Sequence, residues 1–225
     1  DPDEGTMKTD LLDIGIGRFV VTTPEEAKSA VDKSIHYATN INAVGDWRNV
    51  ITFVADDEDG NSHLSQAEQL AQMVAEDNKT YNVDKIYIDS YKQVSTQGGQ
   101  RYPDVNEAIN TRIEKGTLIM NYTGHGGEVG WAHERVLENS DINSWKNMNK
   151  LTVMVTATCE FARYDDPGRV SAGELVFLNP NGGGISLFTT ARATFGGSNL
   201  SLNKGFYEFV FEKENFARIH GLHNS

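Results

Sequence analysis

Only one of the 225 residues is a cysteine, Cys159. An internal disulfide is therefore impossible, and a single thiol builds neither a zinc knuckle nor an iron–sulfur centre. If Cys159 has a chemical task it acts as a thiol, although a lone cysteine is more commonly a small buried hydrophobe. Long apolar runs are missing too, and none approaches the roughly 18 residues of a membrane-spanning helix. Positive charge is scarce, with 20 Lys and Arg against 32 Asp and Glu. The resulting net charge of −12 opposes attraction to nucleic acid or anionic lipid, so a nucleic-acid partner is not expected and a neutral or basic macromolecule suits better. No charged-then-apolar leader opens the chain, which starts Asp1, Pro2, Asp3, Glu4; a secretory signal is expected to lie outside this sequence or to have been removed. Repeats, low-complexity tracts and Pro/Ser-rich linkers are absent as well, and the length suits one α/β domain over residues 1–225.

What is present is alternation. Apolar runs of strand length, rich in Val, Ile, Phe and Thr, occupy residues 49–55, 85–89, 117–122, 151–158 and 184–189. Between and after them, residues 24–39, 65–77, 105–115, 140–147 and 202–212 read as helices. Pro24, preceded by Thr23 and followed by Glu25 and Glu26, marks a helix start. Near-continuous apolar strands separated by helices predict a mostly parallel sheet covered on both faces. In such sheets functional groups gather at the carboxyl ends of the strands.

Two motifs stand there. Asn-Tyr-Thr-Gly-His-Gly-Gly, residues 121–127, puts His125 just past the third apolar run, between glycines that permit a tight loop. Val-Thr-Ala-Thr-Cys, residues 155–159, ends the fourth run on Cys159. Neighbouring parallel strands lie about 5 Å apart, so imidazole and thiol can meet at one sheet edge. A free thiol ionises near pH 8.5 and needs a base or cation to act as a nucleophile at neutral pH, a part His125 can fill. Cys159 as nucleophile and His125 as proton-transfer partner predict acyl transfer.

The run containing His125, Glu128, His133 and Glu134 is rich in ligand types, but its histidines are eight residues apart and not at the i, i+4 spacing of a zinc-binding helix. The acidic turn Asp56–Asp59, Gly60, Asn61 invites a calcium reading. Aligning Gly60 with the glycine of a calcium loop puts Ala55 and Gln66 at the first and last ligand positions, so that pattern fails. A solvated turn, a carboxylate orienting His125 and an irregular calcium site stay open. No cofactor is expected, apart from a structural calcium.

With these residues in hand, the sequence resembles the gingipain-like family of cysteine peptidases, and within it the cell-surface sortases of the type IX secretion system. The segments that carry the likeness are residues 12–19, 48–57, 101–109, 121–126, 155–167 and 171–180, including Leu-Asp-Ile-Gly-Ile-Gly-Arg-Phe and Thr-Ala-Thr-Cys-Glu-Phe-Ala. The resemblance implies a caspase-like three-layer α/β sandwich, with His125 and Cys159 as the catalytic dyad. It implies an oxyanion hole from the backbone N–H groups of Gly126 and Cys159, and an orienting carboxylate at Asp57 or Asp56. His63 falls where an acid helps gingipains select basic residues, so that specificity is not expected here; His63 and Thr158 are expected at the substrate. Sortase-type relatives cleave a carboxy-terminal sorting domain from secreted cargo and pass the acyl group to an amine on surface lipopolysaccharide. That implies such cargo, that acceptor and other secretion-system components as partners, and a location on the outer-membrane cell surface. Because these relatives are much longer, the chain is expected to be a catalytic fragment. The rival expectation is a catalytically inactive caspase-like module that binds or scaffolds, with or without calcium.

Overall fold

A computed structural model describes residues 17–211. Residues 12–16 of the matched Leu-Asp-Ile-Gly segment and the last residue of the final expected helix, 212, lie outside the described residues. The strands are β1 (Val50–Ala55), β2 (Asn82–Tyr87), β3 (Val94–Thr96), β4 (Gly99–Arg101), β5 (Ile119–Thr123), β6 (Gly126–Gly127), β7 (Gly130–Trp131), β8 (Leu137–Glu138), β9 (Thr152–Ala157) and β10 (Gly184–Phe188). The helices are α1 (Pro24–Thr39), α2 (Ser62–Asp77), α3 (Pro103–Lys115), α4 (Asn139–Ser144), α5 (Ala172–Leu178) and α6 (Gly196–Phe211).

Five parallel strands form the central sheet in the order β10-β9-β5-β1-β2. All five expected strands are present. Their residues alternate between the two faces, as the period of two demands. On one face Val54, Met120, Tyr122 and Met154 pack with Val105, Ile109 and Ile113 of α3, Ile142 of α4 and Val176 of α5. On the other face Ile51, Phe53, Ile119 and Val155 pack with Leu70, Ala71 and Val74 of α2 and Tyr207 of α6. The result is the expected α/β three-layer sandwich. No helix among the described residues is long and apolar enough to cross a membrane.

Local chemistry sets the helix starts. α1 begins at Pro24 with a full capping box, in which Glu26 N–H donates to Thr23 and the Glu26 carboxylate accepts from the Thr23 N–H. α2 begins three residues before the expected position, because Asp59 (φ 57°), Gly60 (φ 59°) and Asn61 (φ 67°) make a left-handed turn that feeds straight into Ser62. Asp, Gly and Asn are the residue types that tolerate that region best.

The chain enters at β1, pairs it with β2 on one side, then crosses to put β5 on the other. The strand order therefore reverses between β1 and β5, and at that point the loops diverge and leave a crevice at the carboxyl edge. The segment after β1 is the acidic turn; the segment after β5 holds His125.

Candidate active site

β5 and β9 pair in register up to Thr123 opposite Ala157. His125 and Cys159 each stand two residues beyond that pair, on loops leaving neighbouring strands. The expected juxtaposition of the two motifs at one sheet edge is what the topology produces.

The His125 backbone is held on both sides. Its N–H donates to Asp56 Oδ2 at 2.8 Å, and its carbonyl accepts from the Tyr122 hydroxyl at 2.5 Å and from Ala132 N–H at 2.9 Å. Asp56 is 1 % exposed, and its other oxygen accepts from the Asp57 N–H. Burial raises the Asp56 carboxyl above the usual range, working against the His125 N–H bond and the neighbouring His63 and His125 side chains that lower it. Gly124 is tied to this arrangement by size: a Cβ there would collide with Asp56 Cβ and lie 2.6 Å from the Tyr122 hydroxyl.

The imidazole of His125 faces acid. Its Nε2 lies 3.2 Å from Asp59 Oδ2 and 3.6 Å from Glu58 Oε2. Asp57, the first choice for the orienting carboxylate, is turned away, with its Oδ2 accepting from the Tyr102 hydroxyl at 2.6 Å. The left-handed turn at 59–61 is the physical reason, since it folds the acids further along the loop back over the ring. The alternative, Asp56, grips the backbone of His125.

Cys159 is half-buried, and its sulfur accepts from Thr194 N–H at 3.5 Å and contacts the Thr194 carbonyl at 3.6 Å. Its loop is laced to the segment after β10: Thr158 O accepts from the Thr190 hydroxyl, Glu160 N–H donates to Arg192 O, and Ala162 N–H donates to Thr190 O. Glu160 sits in the left-handed region at φ 50°, an uncommon place for a residue other than glycine, which turns the chain sharply just after the thiol. No hydrogen bond joins thiol and imidazole among the described residues, and catalytic contacts commonly tighten only with substrate.

The two amides expected at an oxyanion are those of Gly126 and Cys159. The Cys159 N–H has no acceptor among the described residues. His125 O accepts from Ala132 N–H, so the next facing pair, Gly126 and Trp131, is the non-bonded kind, which turns the Gly126 N–H away from β7. Thr158, expected at the substrate, is instead 1 % exposed and lies behind Gly126, where a Cβ would meet its Oγ1 at 2.6 Å. His63, also expected at the substrate, is 9 % exposed in the first turn of α2, its ring edge-on to His125 with centroids 5.1 Å apart.

Within the acidic turn, where a carboxylate orienting His125 was one of the open readings, Asp59 and Glu58 are the acids whose oxygens lie beside the imidazole. A cleft of about 310 Å³ opens beside the β6-β7 hairpin, lined by His125, Gly126, Val129, Trp131, His133 and Arg135. Glu128, taken above with possible ligands, is spent on Arg163 at 2.7 Å and Arg169 at 2.9 Å, while its carbonyl accepts from Ala172 N–H. It thereby ties the His125 hairpin to the Cys159 loop and to α5. Three sets of side chains have ligand atoms within 4.8 Å of one another: Asp56, His63 and His125; Glu58, His125 and His133; and Asp56, Asp57 and Glu134.

Proteins of similar sequence and fold include the gingipains. Gingipain R2 of Porphyromonas gingivalis is 26 % identical over 153 residues, covering 65 % of this chain and 19 % of that protein. Gingipain R1 of the same organism is 26 % identical over 153 residues, again 65 % of this chain but 14 % of the relative. The chain thus spans less than a fifth of the length of these relatives. Among solved structures, the Arg-specific cysteine proteinase gingipain R superposes with a TM-score of 0.72 at 19 % identity, over 88 % of this chain and 44 % of that one. A complex of its pro- and mature domains gives 0.73 at 19 % identity, over 89 % and 46 %. The fold is that of these proteinases, and the model of "Peptidase family C25" matches residues 1–222, so the chain belongs to that family of gingipain-like cysteine peptidases.

Proposed function

We propose that the chain is the catalytic region of a cysteine endopeptidase in which Cys159 attacks the scissile carbonyl and His125 moves the protons. The observation that carries this reading is the matched placement of both residues, two positions past the last paired residues of adjacent parallel strands. The Cys159 thiolate adds to the carbonyl carbon and the C–N bond breaks. The departing amine takes a proton from the His125 imidazolium, leaving a thioester on Cys159. The amides of Gly126 and Cys159 receive the charge that develops on the carbonyl oxygen. Asp59 and Glu58 lie beside the imidazole, and Asp56 fixes the loop that bears it.

The likeness to sorting enzymes of the family, of which PorU is an example, supports a finer reading. The thioester is resolved by an amine as well as by water, with a carboxy-terminal sorting domain as leaving group and lipopolysaccharide at the cell surface as acceptor. A thioester is readily attacked by unprotonated amines, and a site that positions the amine gains effective concentration over bulk water. Other secretion components would then present the cargo. No cofactor takes part in this chemistry. A structural calcium suits Asp56, Asp57 and Glu134, since Asp57 Oδ1 and Glu134 Oε2 are buried without partners and calcium takes oxygen ligands.

The test is product analysis on the full-length protein. Incubation with a cargo peptide and graded amine should give both free acid and amine-linked product by mass spectrometry, the latter rising with amine. Free acid alone at saturating amine removes the transpeptidase reading and leaves the peptidase. Full turnover in Cys159→Ala removes both.

A further inference from the structure

Three imidazoles that the sequence scatters over 71 positions, His63, His125 and His133, meet at the switch-point crevice. His125 stacks on His133 with centroids 5.1 Å apart, and His63 meets the same ring edge-on at the same distance. Carboxylate oxygens sit between them. Glu58 Oε2 lies 3.0 Å from His133 Nδ1 and 3.6 Å from His125 Nε2; Asp59 Oδ2 lies 3.2 Å from His125 Nε2 and 3.3 Å from His63 Nε2. Nitrogen–oxygen separations of this size are also the edges of a tetrahedron whose ligand bonds are about 2.0–2.1 Å, the lengths zinc takes with histidine and carboxylate.

His63 adds an independent sign. It is 9 % exposed, yet neither ring nitrogen has a hydrogen bond; Nε2 is near Asp59 without the direction a bond requires. Buried donors left unpaired cost stability, and clustered imidazoles with unused nitrogens suit a cation that accepts nitrogen ligands. Local spacing excluded a zinc helix in the 125–134 run. The ligands instead come from three separate segments, the acidic turn, the loop after β5 and the stretch after β7.

We infer that His125, His133 and Glu58 form a binding site for a divalent transition metal of the zinc class, and that occupancy arrests the peptidase by removing His125 from proton transfer. A fourth position is left for water, and His63 flanks the site. The inhibitory half rests on the proposed role of His125; the binding half does not.

The experiment uses zinc chloride on the full-length protein, with calorimetry for binding and peptide cleavage for activity. The parent is expected to bind one zinc ion and to lose activity in parallel, with recovery on chelation. His133→Gln should weaken zinc binding and zinc inhibition at least tenfold, the inhibition being read against that variant's own metal-free rate. Glu58→Gln checks the same loss from the carboxylate side by calorimetry alone. Cys159→Ala should bind zinc like the parent. Binding lost in Cys159→Ala, or unchanged in both His133→Gln and Glu58→Gln, overturns the site, because the thiol or an unrelated surface then holds the ion. Binding that depends on His133 but leaves cleavage untouched overturns the inhibitory half. A parent that binds through His133 but cleaves nothing counts against the peptidase reading and leaves the site standing.

Discussion

Gly126→Ala is the most informative single perturbation of the candidate active site. A Cβ at 126 would lie 2.6 Å from Thr158 Oγ1 and 2.9 Å from Gly130 O, whereas ordinary contact begins near 3.4 Å. Neither neighbour yields easily. Gly130 O belongs to the backbone of β7, and Thr158 is 1 % exposed with its carbonyl bound by Thr190. Overpacking of this kind costs about 1–3 kcal/mol. For a domain near this size that lowers Tm by roughly 2–12 °C. The larger effect should be on rate. Displacing Thr158 shifts the residue that follows it, Cys159, and moves the Gly126 amide, and misplaced donors or nucleophiles cost on the order of 10²-fold. Differential scanning calorimetry and peptide cleavage measure the two effects separately. Gly127→Ala is the control, since nothing lies within 4 Å of a Cβ there. Parent-like Tm and kcat/KM in Gly126→Ala would refute the packing argument and the assigned oxyanion amide together.

Asp56→Ala removes the acceptor for the His125 and Asp57 amides and should cost about 2–4 kcal/mol in urea unfolding, with Asp56→Asn milder because an amide oxygen still accepts. Lys33→Met should cost about 2–4 kcal/mol, because Lys33 Nζ, on a side chain packed inside, donates to the carbonyls of Phe177, Gly182 and Gly184. Burial pushes the Lys33 amine from 10.5 down to about 8, so between those values the unfolded chain holds more protons. Stability carried by this group then rises as pH rises from about 8 to 10.5, and that rise should vanish in Lys33→Met when denaturation is followed against pH. If calcium occupies Asp56, Asp57 and Glu134, EGTA should lower the Tm of the parent and leave that of Glu134→Gln unmoved.

Much of this was legible because a parallel sheet writes itself into sequence as apolar runs, and because the chemistry sits at strand ends. The five central strands and the two motifs needed nothing more. β2 was misjudged by three residues at its start: it is an edge strand, Asn-Val-Asp-Lys-Ile-Tyr, whose polar half hides its extent, while buried Ile88 beyond it opens a 3₁₀ turn. α5 escaped because five of its seven residues are buried, which leaves no polar face to set a helical period. Its signal was local: Ser171 and Glu174 make a capping box, the serine hydroxyl donating to the glutamate at 2.6 Å. Strands β6 to β8 hold two residues each, too short for any periodicity. The family resemblance implied Asp57 or Asp56 as the orienting carboxylate, whereas the turn with three successive left-handed residues sets Asp59 beside the His125 ring. No pattern within the sequence brings His63 to His125; only the closing of α2 over the sheet does.

The central claim is that His125 activates Cys159, and the rate of Cys159 alkylation by iodoacetamide against pH tests it most directly. In the folded parent the thiol should react near neutral pH faster than the same thiol in the urea-unfolded chain. His125→Ala, shown folded by circular dichroism, should lose that advantage. Equal rates in folded parent, folded His125→Ala and unfolded chain would contradict the account, leaving Cys159 an ordinary half-buried cysteine at the end of a strand.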